Sequence, residues 1–323
     1  MPDPVRISID GMGGDFAPQN IVTGAVQAAN EFDVRVLLVG IKEELRAELS
    51  KHSLPAGKIE VVNATEVISM EEQATVAVRK KKNSSMRIAV DLACKGEADG
   101  IISAGNTGAL YAAVKLSVGC LSGVDRLPLA AFVPHPGGKS IMLDVGANVD
   151  CKPRHLLEFA LMGSVYAEEI LNIKSPKVGL MSIGSEEAKG NELTREAYSL
   201  LKSSDLRFIG NVEGNDVFRG TADVIVCDGF TGNVALKVSE SLIETILELL
   251  ESKIDQHPEI VTVLRKYFDY SEYGGAPLLG ARIPSFVCHG RSSSKAVKNA
   301  IRVAIDFCLH HVNDRIYDKL GKD

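Results

Sequence analysis

The chain has 323 residues, is 45% hydrophobic and 24% charged, carries a net charge of -6 and has no Trp. That length buries a large core and allows one large domain or two smaller ones, while the acidic balance excludes bulk nucleic-acid binding, which needs a continuous basic surface. The apolar runs fall short of the roughly 18 residues of a membrane span. "MPDPVRISID" at the start lacks a basic segment followed by a long apolar one, so no signal peptide is expected and the protein is read as cytoplasmic. Cys94, Cys120, Cys151, Cys227, Cys288 and Cys308 form no C-x-x-C pair. Reduced, mostly buried thiols are expected rather than a zinc site or a disulfide framework, and neither metal nor other cofactor is expected.

In chain order, "VRISI" reads as a strand followed by the glycine turn "DGMGGD" at 10 to 15, and "QNIVTGAVQAANEF" as a helix. "VRVLLVG" and "IEVV" follow as strands, then the basic run "RKKKNSSMR" at 79 to 87. "DGIISA" runs into "SAGNTGA" at 103 to 109, and "PLAAFV" and "SIMLDV" lead to "LDVGAN" at 143 to 148. After the helical "PRHLLEFALMGSVYAEEIL", "KVGLMSI" meets "IGSEEAKGNE" at 183 to 192. "LRFIG" and "DVIVCD" then lead to "CDGFTGN" at 227 to 233.

Strands that are apolar almost throughout are those buried on both faces of a parallel sheet. Their alternation with helical stretches predicts an α/β helix/sheet/helix sandwich with a mostly parallel sheet. No linker interrupts the chain, so a single α/β domain over 1–323 is expected, with a helical hairpin arm at about 233–272. Its first helix starts after Gly232 and carries an apolar stripe through Val238, Leu242, Ile246, Leu249 and Leu250. Pro258 ends it, and Ile260, Val263, Leu264, Tyr267 and Phe268 share one side of a second helix.

Five strand ends thus combine glycine with polar residues, at the place where an open parallel sheet binds ligands and where helix N-termini favour anions. Any one of them is equally an ordinary tight turn with a capping Thr, Asn or Asp; five together point to an anion, and to a phosphate in particular. The candidate phosphate or substrate ligands are Ser103, Gly105, Asn106, Thr107, Gly108, Asp144, Asn148, Asn191, Asp228, Gly229, Thr231 and Gly232. A nicotinamide site fails because Phe16 stands where the fingerprint needs its third glycine and no carboxylate closes the second strand. A Walker A loop fails for lack of G-K-[ST].

Lys189 is the lone cation among Glu186, Glu187 and Glu192. A solvated lysine fits poorly at a helix start, where the dipole favours anions, so a role beside an anionic ligand or a developing oxyanion is the better reading. Arg79, Lys80, Lys81 and Lys82 are either a solvated helix face or a dock for an acidic substrate. Cys288 and His289 are adjacent on extended backbone and point to opposite faces, so they form no dyad of their own. His135, between Pro134 and Pro136, is read as structural.

Taken together, "DGMGGDFAP", "RKKKNSSM", "ISAGNTGAL", "LDVGANVDCKP", "MGSVYA", "KGNELT", "FIGNVEG", "DGFTGNVALK", "YGGAPLLG" and "HGRSSSKAVKNAI" resemble the bacterial phosphate acyltransferase family over nearly the whole chain. One departure is Gly11, where the family carries Ala. The resemblance implies transfer of a long-chain acyl group from acyl carrier protein to inorganic phosphate. The acyl phosphate product is then used by a membrane-bound glycerol-3-phosphate acyltransferase in phospholipid synthesis. It also implies a fold like that of phosphotransacetylases and isocitrate dehydrogenases, a homodimer, and peripheral membrane contact. Its catalytic pair falls on Lys189 and Asn233, with the loops at 103–108 and 228–232 expected to hold phosphate. The basic run becomes a candidate dock for the acidic carrier protein. The first hairpin helix is expected to pack in the dimer, and the second to do so or to rest on a bilayer. Two other functions are open to these residues: an acetyl-CoA phosphotransacetylase, and a non-catalytic membrane scaffold for lipid enzymes.

Overall fold

The computed structural model describes residues 3–253, 262–264, 267, 268 and 270–321. Its strands are β1 (Val5–Asp10), β2 (Val34–Gly40), β3 (Ile59–Asn63), β4 (Gly100–Ser103), β5 (Ala130–His135), β6 (Gly138–Leu143), β7 (Val178–Met181), β8 (Phe208–Val212), β9 (Val224–Val226), β10 (Ala276–Pro277) and β11 (Ser285–Val287). Its α-helices are α1 (Gln19–Glu31), α2 (Lys42–Leu49), α3 (Ala74–Lys80), α4 (Ser85–Cys94), α5 (Thr107–Ala113), α6 (Pro153–Ile170), α7 (Glu192–Lys202), α8 (Gly229–Lys253), α9 (Ser294–Leu309) and α10 (Val312–Leu320).

Each of the nine strands expected from sequence is present, but they are shared between two sheets. The chain, read from sequence as one domain, divides into two compact units, the first holding residues up to Leu127 with Ser271–Tyr317 and the second Pro128–Tyr270 with the C-terminal residues from Asp318. Apolar runs declare that a strand is covered on both faces; they do not declare its neighbour, so one sheet and two look alike in sequence.

In the first unit the strand order is β10-β11-β4-β1-β2-β3, with every pair parallel except β10 against β11. Within β2 only Arg35 is exposed, because helices cover both faces of the sheet. Met86, Ala89, Val90 and Ala93 of α4 are buried at the spacing of one helix face, and the Ser84 hydroxyl accepts from the Arg87 amide to close its N-terminus. The strands β10 and β11 escaped the sequence reading because they are two and three residues long and one ends in Pro277.

In the second unit the order is β5-β6-β9-β7-β8. The strands β6, β9, β7 and β8 are parallel; β5 is antiparallel to β6 across the turn at Pro136 and Gly137. The crossover helix α6 buries Leu156, Phe159, Ala160 and Val165, while the more polar α7 buries only Ala197 and Leu201, one turn apart. Helix α8 begins at Gly229, earlier than expected, and its stripe faces outward: Val238 is 62%, Leu242 57% and Leu249 57% exposed. The expected break at Pro258 and much of the second hairpin helix fall on residues 254–261, 265, 266 and 269, outside the described residues.

Candidate functional site

Three neighbouring parallel strands of the second unit, β6, β9 and β7, send their chains out over the same carboxyl edge. The loops that follow them carry Asp144 to Asn148, Asp228 to Asn233, and Ser182 to Asn191, so topology gathers on one edge residues that lie up to 89 positions apart between Asp144 and Asn233.

Asp144 organises the first of these loops. It is fully buried, and its Oδ1 accepts from the amides of Leu129 (3.1 Å), Gly146 (3.0 Å) and Ala147 (2.9 Å). Its Oδ2 accepts from the amide (2.7 Å) and the side-chain Nδ2 (2.8 Å) of Asn148. Burial pushes this carboxyl above its ordinary range, against the pull of those donors. With both oxygens engaged, Asp144 and Asn148 shape the loop.

The β9–α8 junction is pressed against that loop. The Gly229 amide donates to the Asn148 carbonyl (2.8 Å), and a Cβ at Gly229 would lie 2.6 Å from that same oxygen. A Cβ at Gly232 would collide with the Asp144 carbonyl. Both positions therefore exclude any larger residue, which is the physical reason for two glycines at this turn. Asp228 caps the helix start: its Oδ1 accepts from the Thr231 amide (2.9 Å) and its Oδ2 from the Thr231 hydroxyl (2.8 Å). Cys227 is buried, its thiol 3.4 Å from the Asp144 carbonyl and pushed well above its ordinary pKa by burial, so it is no nucleophile.

Of the expected site residues on this edge, Asn233 and Lys189 have side chains without a partner among the described residues. Asn233, one turn into α8, is exposed, and its amide lies over Gly146, where a Cβ would be 3.2 Å from the Asn233 Oδ1. Lys189 is exposed, its stem laid over Gly184, and its ammonium has no acceptor or ion-pair partner among the described residues. Asn191 caps α7, its Oδ1 accepting from the Thr194 amide (2.9 Å). Ser182, missed in the sequence, has a buried hydroxyl with no partner among the described residues; its one signal was its place directly after a strand.

The first unit builds an edge of its own from β1 and β4. Asp10, also missed, is buried beneath the glycine loop and accepts from the Ser103 hydroxyl (2.7 Å), which in turn accepts from the Gly105 amide (3.0 Å). Burial raises the Asp10 carboxyl above its ordinary range, opposed by the hydroxyls of Ser85 and Ser103. Asn106 caps α5 through the Ala109 amide (3.0 Å), while its Nδ2 donates to the carbonyls of Met70 (3.0 Å) and Glu72 (3.1 Å). Thr107 and Gly108 open that helix. In the basic run, Arg79, Lys80 and Lys82 are exposed. Lys81 differs: its ammonium is bound to Glu72 and to the Val67 carbonyl, both at 2.7 Å.

A family model described as "Fatty acid synthesis protein" matches residues 5–315. Phosphate acyltransferases of Geobacter sp. strain M21 and of Aquifex aeolicus are 49% and 47% identical to the chain, covering 98% and 97% of it and 93% and 96% of their own lengths. Among solved structures, a phosphotransacetylase from Streptococcus pyogenes matches with a TM-score of 0.68 at 17% identity, over 96% of this chain and 95% of its own. A branched-chain phosphotransacylase from Enterococcus faecalis V583 matches at 0.62 and 16%, over 95% and 100%. At such identities these two speak for the fold, a phosphotransacetylase-like α/β architecture. The full-length identity to its relatives and the match of the family model together show that the chain belongs to the phosphate acyltransferase family of fatty acid synthesis proteins.

Proposed function

We propose that the chain transfers an acyl group from a thioester to inorganic phosphate, with the carboxyl edge of β6, β9 and β7 as its reaction centre. A phosphate oxygen attacks the thioester carbonyl, and the tetrahedral intermediate collapses by breaking the C–S bond. The thiolate leaves and takes up a proton, and acyl phosphate remains. Phosphate is already ionised near neutral pH and a thioester is a good donor, so no general base is required. What the intermediate needs is compensation for the charge on its oxygen. The observation that carries this reading is the division of labour on the edge: Asp144, Asn148, Asp228 and Thr231 spend their hydrogen bonds on the loops, and Lys189 and Asn233 keep theirs. A single well-placed donor is typically worth about 2.7–4 kcal/mol in such a transition state. In the loop at 228–232 the amides of Gly229, Thr231 and Gly232 are bound within the chain, so phosphate there rests on the positive start of α8 and on Lys189 and Asn233.

The test is release of free thiol that depends on added phosphate, with the acyl product trapped as a hydroxamate. Absence of both would refute the assignment.

Acyl carrier protein is proposed as the donor, supported by the exposed cations Arg79, Lys80 and Lys82 on the first unit, where the loop from Ser103 to Gly108 is a separate proposed anion site. A homodimer is proposed through the outward stripe of α8 at Val238 and Leu249. No helix among the described residues is long and apolar enough to cross a membrane. Peripheral contact with a bilayer, where a membrane acyltransferase would take the product, is proposed through Val263 and Tyr267 and is checked by flotation with vesicles.

A further inference from the structure

At the opposite, amino edge of the second sheet, the β5–β6 turn, Phe218 and the middle of α8 line an open cavity of about 570 Å³. That volume lies within the range of small-ligand sites, about 300–1,000 Å³. Pro134, Pro136, Ile243, Ile246 and Phe268 give it an apolar wall. Its polar members are few: the Ser239 hydroxyl donates to the Ala235 carbonyl (2.8 Å), the His135 Nδ1 accepts from the Gly137 amide (3.2 Å), and Tyr267 adds a hydroxyl. An occupant rich in hydrogen-bonding groups would leave most of them unpaired, so the chemistry selects a mainly hydrocarbon guest.

Helix α8 connects this cavity to the reaction centre. It leaves the carboxyl edge beside Asn233 and reaches the cavity at Ser239, six residues on, or about 9 Å at 1.5 Å per residue. Exposed apolar side chains mark the way, with Val234 at 45% and Val238 at 62% exposure, and Leu242 belongs to the cavity wall. An extended chain of tetrahedral atoms covers roughly 1.1–1.2 Å per bond, so the gap takes about eight bonds.

We infer that the cavity receives the distal end of a long alkyl chain whose carbonyl sits at Asn233, so that α8 acts as a ruler for acyl length. This rests on the phosphate acyltransferase reading for the position of the carbonyl. On this geometry a four-carbon chain ends short of the cavity and a sixteen-carbon chain ends inside it.

The experiment uses the full chain with palmitoyl- and butanoyl-pantetheine thioesters carrying a diazirine on the last carbon. After irradiation, peptide mass spectrometry should place the palmitoyl label on residues 134–136, 218 or 239–246 and should find no butanoyl label there. Palmitoyl label elsewhere, with those peptides bare, overturns the inference. In a parallel arm, Ile243→Trp narrows the cavity. Each displaced methylene is worth about 0.8 kcal/mol, roughly fourfold in rate, so displacing two should lower the ratio of kcat/KM for palmitoyl over butanoyl donors by roughly 15-fold. Ile243→Ala, which enlarges the space, should move the preference toward longer chains. An unchanged ratio in both variants overturns the inference. So does a changed oligomeric state by sedimentation with the length profile intact, which would make the cavity a contact between copies. If no donor of any length releases thiol with phosphate, the catalytic reading fails, while the labelling still decides who occupies the cavity.

Discussion

Replacing Asp144 by Asn tests whether the loop at the reaction edge is held by one carboxylate. The two oxygens divide their work: three amides converge on Oδ1 and two donors, both from Asn148, on Oδ2. An asparagine keeps an acceptor for the first set, but its NH₂ group then faces the Asn148 amide donor at the position of Oδ2. The Asn148 side chain can turn its oxygen toward that NH₂ and recover one bond. Its backbone N–H cannot, and a buried donor left without a partner costs about 1–3 kcal/mol. For a unit of this size each kcal/mol moves the melting temperature by roughly 2–4 °C, so a fall of about 4–8 °C is expected from a loss near 2 kcal/mol. Differential scanning calorimetry measures it. Because the Asn148 carbonyl also receives the Gly229 amide, a loosened loop should lower phosphate-dependent thiol release as well. A melting temperature and a turnover both equal to those of the parent would refute the claim that Asp144 organises this edge.

Asp10, raised by burial, binds its proton more tightly in the folded chain than in the unfolded one. Its stabilising contribution is therefore complete below the ordinary carboxylate value of about 3.9 and is lost as pH rises through the folded value. Asp10→Asn, with Ser103 able to reverse its hydroxyl, should remove that slope from chemical denaturation curves taken across the acid range; an unaltered slope would contradict the assignment. Cys288 is buried and its thiol is pushed up to about 12, so Cys288→Ser and Cys227→Ser should both keep turnover, and loss of activity in either with the fold intact would restore a thiol nucleophile. Lys80→Glu with Lys82→Glu should raise KM for acyl carrier protein donors several-fold at low salt and leave pantetheine thioesters unaffected. Lys81→Ala should instead lower stability, since its ammonium ties Glu72 and the Val67 carbonyl together; the same behaviour from all three positions would count against the dock.

Much of this molecule can be read before it is folded on paper. The apolar runs locate the strands, and the glycines at 229 and 232 locate a junction too tight for side chains, because period and glycine spacing are local properties. Pairing is not local. Nothing in "SIMLDV" says that it lies beside "DVIVCD" and not beside "VRISI", so the division into two sheets stayed hidden. Residue type located the polar loops but did not separate ligands from braces. Asp228, Asn191 and Asn106 cap the helices they precede, and Asp144 serves its own loop. Lys189 was marked in the sequence by its misfit at a helix start and Asn233 by the family resemblance alone; the hydrogen bonds of their neighbours add that both side chains are left without partners among the described residues. Asp10 was passed over because a buried carboxylate beneath a glycine loop has the same local sequence as a turn residue.

The central claim is that Lys189 and Asn233 compensate charge on the reacting oxygen while contributing little to the fold. Phosphate-dependent thiol release by Lys189→Ala, Asn233→Ala and the double variant tests it most directly. Each single change should cost about 10²–10³ in kcat with the melting temperature unmoved. Parental turnover in Lys189→Ala, or a loss explained by unfolding, would contradict the account.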